Sequence, residues 1–324
     1  MALSVAMHIP SPPSNGFHLG VLFIHYYGLM YVIGIGLAII ITRRRWQAVG
    51  GNPALVTDVA TWAVPAGIVG GRIYFDITTP FDIRPDTWWG VFAVWNGGLG
   101  IWGGIVAGVA VGIWRVHRAG ADWRLMCDAV APALLVAQAI GRIGNYFNQE
   151  LFGKPTSLPW GLAISQSAKL NSGMPAQYLK YSYFQPSFLY ELIWDLALAA
   201  FLVWLGHHRR IKPPGLLALY VVGYAGYRIF EETIRIDSSA YFLGLRLNEY
   251  IAIAVTLAGI IWFVFIQRRP HTPEPALQAA SAAAGGSAAG PGSGAEEPGD
   301  GATESGGVTT SAPDVPATPG TVTD

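Results

Sequence analysis

The chain has 324 residues, of which 52% are hydrophobic and only 12% charged, with 12 Trp; that balance lies outside the range of soluble domains. Its formal net charge of zero hides an asymmetry, because residues 1–269 carry all 20 basic residues and 13 of the 20 acids, a net of +7. A basic, apolar body suits anionic lipid and points away from nucleic acid, and a single cysteine, Cys127, excludes an intramolecular disulfide.

Residues 1–18 hold three prolines and no basic leader region, so no cleavable signal peptide is expected. Seven apolar segments follow, each near the roughly 20 residues that a spanning helix needs. They are Gly20–Thr42, Thr57–Ile77, Val91–Arg115, Leu125–Gly141, Ser187–Leu205, Gly215–Ile234 and Asn248–Ile266. The fourth is the shortest and carries Pro132. The expected fold is an all-α integral membrane protein of seven transmembrane helices.

Charge in the connections sets the expected orientation. Arg43, Arg44 and Arg45 follow the first segment, and Arg115, Arg118 and Arg124 accompany the end of the third and its loop. His207 to Arg210 with Lys212 follow the fifth, and Arg268 with Arg269 follow the seventh. The second loop carries a single arginine, Arg84, with Asp82 and Asp86. Basic clusters after segments 1, 3, 5 and 7 form a positive-inside pattern, which places the N-terminus outside and the C-terminus in the cytoplasm.

The one long connection, about residues 146–186, then lies on the outer side. It holds Pro155, Pro159, Trp160, Pro175, Tyr178, Tyr181 and Tyr183, and its length and aromatic content suit either a lid over a site or a plain extracytoplasmic cap. Residues 270–324 are rich in Ala, Gly, Pro, Ser and Thr, with seven acids and no aromatic residue. Such a tail cannot bury enough apolar surface to fold, so the expected organisation is a membrane domain over 1–269 and a disordered cytoplasmic tail over 270–324.

Several ionisable residues fall inside or at the ends of the spans: Arg72, Asp76, Arg142, Glu150, Glu191, Asp195, Arg228, Glu231, Glu232 and Arg235. Buried ion pairs that fix helix packing would account for them. Arg142 and Arg228 favour a functional reading, since both lie toward the outer side and a guanidinium grips phosphate through a bidentate fork. Glu150, Glu231 and Glu232 are then counter-ions or acid–base groups. Tyr26, Tyr27, Tyr31, Tyr190 and Tyr227 recur nearby, and tyrosine is common at membrane interfaces. No Gly-x-Ser-x-Gly elbow or His-Glu-x-x-His motif is present, and the sparse histidines argue against a metal site. Gly97-Gly98-Leu99-Gly100-Ile101-Trp102-Gly103-Gly104 is glycine-dense, which lets helices or lipid approach the backbone closely. It is no phosphate loop, because no Lys-Ser/Thr follows it.

The stretch Gly141-Arg142-Ile143-Gly144-Asn145-Tyr146-Phe147-Asn148-Gln149-Glu150-Leu151-Phe152-Gly153 resembles the signature of the bacterial prolipoprotein diacylglyceryl transferases. Other segments agree in order over about residues 15–268: Tyr27-Gly28, Gly71-Arg72 with Tyr74, Trp95 with Gly97-Gly98, Pro186-Ser187 with Tyr190-Glu191, and Arg228 with Glu232 and Arg235. The resemblance implies transfer of the diacylglyceryl group of phosphatidylglycerol to the lipobox cysteine thiol of a preprolipoprotein. A thioether forms and glycerol phosphate leaves, at the outer side of the cytoplasmic membrane and without a cofactor. It implies catalytic roles for Arg142, Arg228, Glu232 and Tyr27. It implies phosphatidylglycerol contacts for Arg142, Asn145, Asn148, Glu150, Gly153, Arg72, Gly98, Gly103, Gly104 and Tyr190. Trp102 and Asn96 depart from the family pattern, because many members carry a His, often proposed as a base, and a Glu at those positions. Trp accepts no proton, so Glu232, Glu150 and Tyr27 are the candidate acceptors. A lipid or small-anion carrier using the same arginines is the alternative.

Overall fold

The computed structural model describes residues 8–79, 88–94, 97–172, 174–236 and 241–269. These belong to the first of the two units into which the chain divides, Met1–Arg269. The expectations for Asp82, Asp86, Trp95, Asn96 and the tail 270–324 lie outside the described residues.

Eight α-helices are present among the described residues: α1 (Tyr26–Ala48), α2 (Pro53–Thr78), α3 (Ile101–Arg118), α4 (Trp123–Asn148), α5 (Gln166–Asn171), α6 (Ser187–His208), α7 (Gly215–Ile234) and α8 (Leu247–Arg268). Five of them, α1, α2, α4, α6 and α8, are long and apolar enough to cross a membrane. The other two long helices carry charge instead: Arg115 and Arg118 on α3, and Arg228, Glu231 and Glu232 on α7.

Local chemistry sets the boundaries. Asn52 caps α2 by accepting from the Ala54 N–H, with Pro53 at the first helical position. Asp122 caps α4 in the same way through Arg124 N–H. The first helix begins six residues later than expected, because Gly16–Leu19 and Leu22–His25 pair as an antiparallel hairpin, β1–β2. Gly20 makes that turn at φ +61°. The third helix begins ten residues later than expected, at Ile101. The apolar residues before it form a 3₁₀ turn at Trp88–Phe92 and an irregular stretch in which Gly97 and Gly98 have positive φ. The fourth runs seven residues beyond its expected end, through Pro132 and on to Asn148.

The helices pair mainly as α2 with α3, α1 with α4, α4 with α6 and α7 with α8. The first pair is a seam of glycines, Gly67, Gly70 and Gly71 against Gly100, Gly103, Gly104 and Gly108. An added Cβ at Gly103 would stand 2.2 Å from the Gly70 carbonyl oxygen and one at Gly104 3.2 Å from that of Gly67. Large apolar side chains such as Val32, Trp62, Val69, Val106, Phe201 and Ile261 point outward, while Arg72, Glu191, Asp195, Glu231, Glu232 and Arg246 are buried. A polar interior inside an apolar exterior is the arrangement a bilayer selects.

The long connection is a folded cap with its own core of Phe152, Leu162, Ile164 and Phe184, completed by Ile236. Strands β3 (Leu162–Ala163) and β4 (Tyr183–Phe184) pair within it. Isolated bridges join Leu162 to Ile9 and Gly153 to Arg235. A third hairpin, β5 (Tyr241–Phe242) with β6 (Leu245–Arg246), precedes α8.

Candidate active site

The signature stretch is helical through Asn148. Its first eight residues form the last two turns of α4, and Gln149, in the left-handed conformation at φ 52°, ends the helix. One turn of helix separates Arg142 from Asn145 and Tyr146, so Arg142 and Asn145 share a face. Arg142 Nη1 donates to Asn145 Oδ1 at 3.3 Å, and Asn145 Nδ2 donates to Glu150 Oε1 at 2.8 Å. Asn148 Nδ2 donates to the same oxygen at 3.2 Å. Glu150 is thereby held by two amides at the helix end.

The other nitrogen of Arg142 turns toward α6 and α7. Arg142 Nη2 lies 2.5 Å from Glu191 Oε1 and donates to Tyr224 Oη at 3.2 Å, while the Tyr224 hydroxyl donates to Glu191 Oε1 at 3.1 Å. Glu191 is fully buried and also faces Arg228, whose Nη1 lies 3.8 Å from Oε2. Arg228 pairs with Glu231 one turn on at 2.5 Å, and with Glu232 through Nη2. Glu232 is shared further with Arg235 at 3.5 Å and with Arg246 Nε at 3.1 Å. The result is one continuous network of arginines and glutamates drawn from α4, α6, α7 and β6. The two arginines singled out from sequence, on α4 and α7, meet through Glu191 of α6.

The remaining candidates are placed elsewhere. Tyr27, on the first turn of α1, packs its ring on Gly144, where a Cβ would approach to 2.6 Å, and its hydroxyl lies 3.0 Å from that of Tyr31. Tyr190 accepts a hydrogen bond from Trp160 Nε1 at 3.0 Å and so ties the cap to α6. Gly153 is wedged between Gln185 and the Ile234 carbonyl, with an added Cβ only 3.0–3.1 Å from each. Arg72 spends its donors on backbone carbonyls: Nε on Val91 at 2.8 Å, Nη1 on Gly97 at 2.8 Å and Gly98 at 3.2 Å, and Nη2 on Gly90 at 2.8 Å, with Asp76 at 3.0 Å. Gly98 lies against the Phe75 ring, and Gly103 and Gly104 line the α2–α3 seam. Trp102 stands half exposed on the first turn of α3. A polar cavity of about 350 Å³ opens beside the signature, lined among others by Asn15, Asn148, Gln149, Glu150, Ser165 and Ser172.

Sequence reasoning left Tyr224 and Arg246 out of the site. Tyr224 carried a usable signal, since it precedes Arg228 by one helical turn on α7. Arg246 carried none, because it arrives from a short hairpin whose pairing no periodicity announces.

The family model for prolipoprotein diacylglyceryl transferase matches residues 15–265. The chain belongs to this family. Among curated relatives, the phosphatidylglycerol–prolipoprotein diacylglyceryl transferase of Cutibacterium acnes is 44% identical over 266 residues, covering 81% of this chain and 88% of the relative. That of Bifidobacterium adolescentis is 43% identical over 279 residues, 82% of each chain. That of Frankia alni is 42% identical, covering 85% and 71%. The diacylglyceryl transferase match includes every arginine and glutamate of the network.

Proposed function

We propose that the protein transfers the diacylglyceryl group of phosphatidylglycerol to the lipobox cysteine thiol of a preprolipoprotein, the first step of lipoprotein maturation. The observation that carries this reading, beside family membership, is the convergence of Arg142 and Arg228 on the buried Glu191. Two guanidiniums held side by side form a cradle for a phosphodiester. Their bidentate donors match its two free oxygens.

The chemistry needs little from the protein besides this cradle. The attacking sulfur comes from the substrate, so the enzyme's own Cys127 has no part in it. As sulfur bonds to the glyceryl carbon, the carbon–oxygen bond to phosphate breaks and negative charge grows on the leaving phosphate. Fixed guanidiniums stabilise that charge in the transition state more than in the ground state. Asn145, Asn148 and Glu150 brace Arg142 from the helix end, and Glu232 with Arg235 and Arg246 braces Arg228.

The same reading makes all seven long helices transmembrane, with the N-terminus outside, the C-terminus and an unfolded tail in the cytoplasm, and the site toward the outer face of the bacterial cytoplasmic membrane. The alternation of basic clusters supports that orientation. In it Arg72, Gly98, Gly103 and Gly104 serve the site indirectly, by fixing the α2–α3 pair, and Tyr27 positions α1 on the signature helix.

The test is transfer of labelled diacylglyceryl from phosphatidylglycerol to a lipobox peptide by the purified protein in nanodiscs. A cysteine-dependent thioether is expected. An intact phospholipid in the presence of folded protein would overturn the reading and turn attention to a carrier.

A further inference from the structure

The polar cavity beside the end of α4, about 350 Å³, lies near the lower end of the range for small-ligand pockets, about 300–1,000 Å³. Its walls come from three separate stretches: Asn15 ahead of α1, Asn148 and Glu150 at the end of the signature, and Ser165, Ser167 and Asn171 at α5. Those walls are fixed to one another. The Asn15 carbonyl accepts from Tyr26 N–H at 2.9 Å, and the Tyr26 ring packs on Phe147 with centroids 4.6 Å apart. Gln149 Oε1 accepts from Ser165 N–H at 2.8 Å, which joins the signature to the cap. Serine hydroxyls and carboxamides predominate in the lining, and among the described residues that form it Glu150 is the one charged group.

Such a lining selects by charge. Glu150 repels an anion, and no basic residue lines the cavity to attract one. A cation would meet a single carboxylate whose Oε1 is already taken by the Asn145 and Asn148 amides. An uncharged polyol fits, because each hydroxyl both donates and accepts: it can donate to Glu150 and the amide oxygens and accept from the amide N–H groups. Glu150 also ties the cavity to the phosphate cradle, since Asn145 alone stands between it and Arg142, bonded to Arg142 Nη1 at 3.3 Å and to Glu150 Oε1 at 2.8 Å. Resting on the transferase reading, we propose that this cavity receives the glycerol head of phosphatidylglycerol while Arg142 and Arg228 hold its phosphate, and that it sets head-group specificity. The head keeps its bond to phosphate throughout and leaves with it. Its contacts lie away from the reacting carbon and supply binding energy that positions the phosphodiester. A head without hydroxyls forfeits those contacts and is selected against.

The experiment uses the full chain in nanodiscs with a lipobox peptide and compares phosphatidylglycerol with phosphatidylethanol, which keeps the phosphodiester and lacks the two hydroxyls. Glycerol phosphate and ethyl phosphate leave as the same kind of phosphate monoester, so the head alone differs. Wild-type turnover of phosphatidylglycerol comes first, and its absence removes the transferase reading itself. Given turnover, wild type should favour phosphatidylglycerol by about 10–100-fold in kcat/KM, the worth of two net hydrogen bonds. Ser167→Phe, which fills the cavity from an exposed position, should lower kcat/KM for phosphatidylglycerol to near that for phosphatidylethanol. Asn171→Leu, which removes one exposed amide, should lower it part of the way. Both variants should leave phosphatidylethanol turnover unchanged. Where that lipid reacts too slowly to follow, its inhibition constant against phosphatidylglycerol takes the place of its rate. A wild type that uses the two lipids equally overturns the proposal without any variant, as do equal losses on both lipids or an undiminished preference in both variants. Faster turnover of phosphatidylethanolamine would give the cavity to an ammonium group, and a rise confined to the KM of the peptide would give it to the peptide. Either result overturns the proposal.

Discussion

Arg142, half-buried, and Arg72, buried, both lie within long helices, yet they are held by opposite kinds of partner. Arg142 and its neighbour Arg228 are held by glutamates. Arg72 is held chiefly by four backbone carbonyls. A carboxylate and a phosphate are interchangeable acceptors for a guanidinium fork, so the first arrangement can exchange partners with a substrate. Backbone carbonyls cannot leave without unravelling the stretch that carries them. The second arrangement is therefore a staple that holds Gly90, Val91, Gly97 and Gly98 to α2. On the proposed function, the identity of the acceptor is what separates an arginine available for chemistry from one committed to the fold.

The largest test of that contrast is Arg142→Ala or Arg228→Ala. Each should reduce transfer by at least about 10²–10³-fold per folded molecule, and each should also lower the melting temperature, because it leaves a buried glutamate short of a partner, as read by product formation and thermal unfolding in detergent. Arg228→Lys should fail to restore the rate, since an ammonium lacks the planar fork. Arg72→Gln should affect stability alone. Leaving Asp76 unpaired should cost about 3–5 kcal/mol of stability, seen as a lowered melting temperature, while the folded fraction keeps its turnover. A stable but inactive Arg72→Gln protein would erase the distinction and return Arg72 to the lipid. Smaller still is Gly103→Val, which forces a side chain onto the Gly70 carbonyl and should cost about 1–3 kcal/mol. Truncation after Arg269 should leave transfer unchanged, because nothing in the tail's composition supports a folded contribution.

Much of this was legible before any coordinates. The limits of α6 and α7 follow the apolar runs to within a few residues, and Arg142, Arg228 and Glu232 stand out because charge inside such runs is costly. Other features were not readable. Leu22–His25 looks like the start of a span, since a short apolar run cannot separate strand from helix by periodicity. The late start of α3 depends on Arg72 capturing the carbonyls of a glycine stretch, a tertiary bond with no local sign. That Glu150 would serve Asn145 and Asn148, while Glu191 would bridge the two arginines, depends on how α4, α6 and α7 cross. Sequence spacing lists the acids but not their partners.

The cap is stitched from three distant stretches: Ile9 near the start, the long connection with Phe152, Leu162, Ile164 and Phe184, and Arg235 with Ile236 at the end of α7. During synthesis these arrive far apart in time. A ribosome-bound chain that holds only its first five long helices would contain every residue of the signature and still lack Ile236, the last residue of the cap's core. In the proposed seven-span topology, assembly of the cap is thus deferred until α7 is in place, and a chain stalled before that point would lack a finished cap.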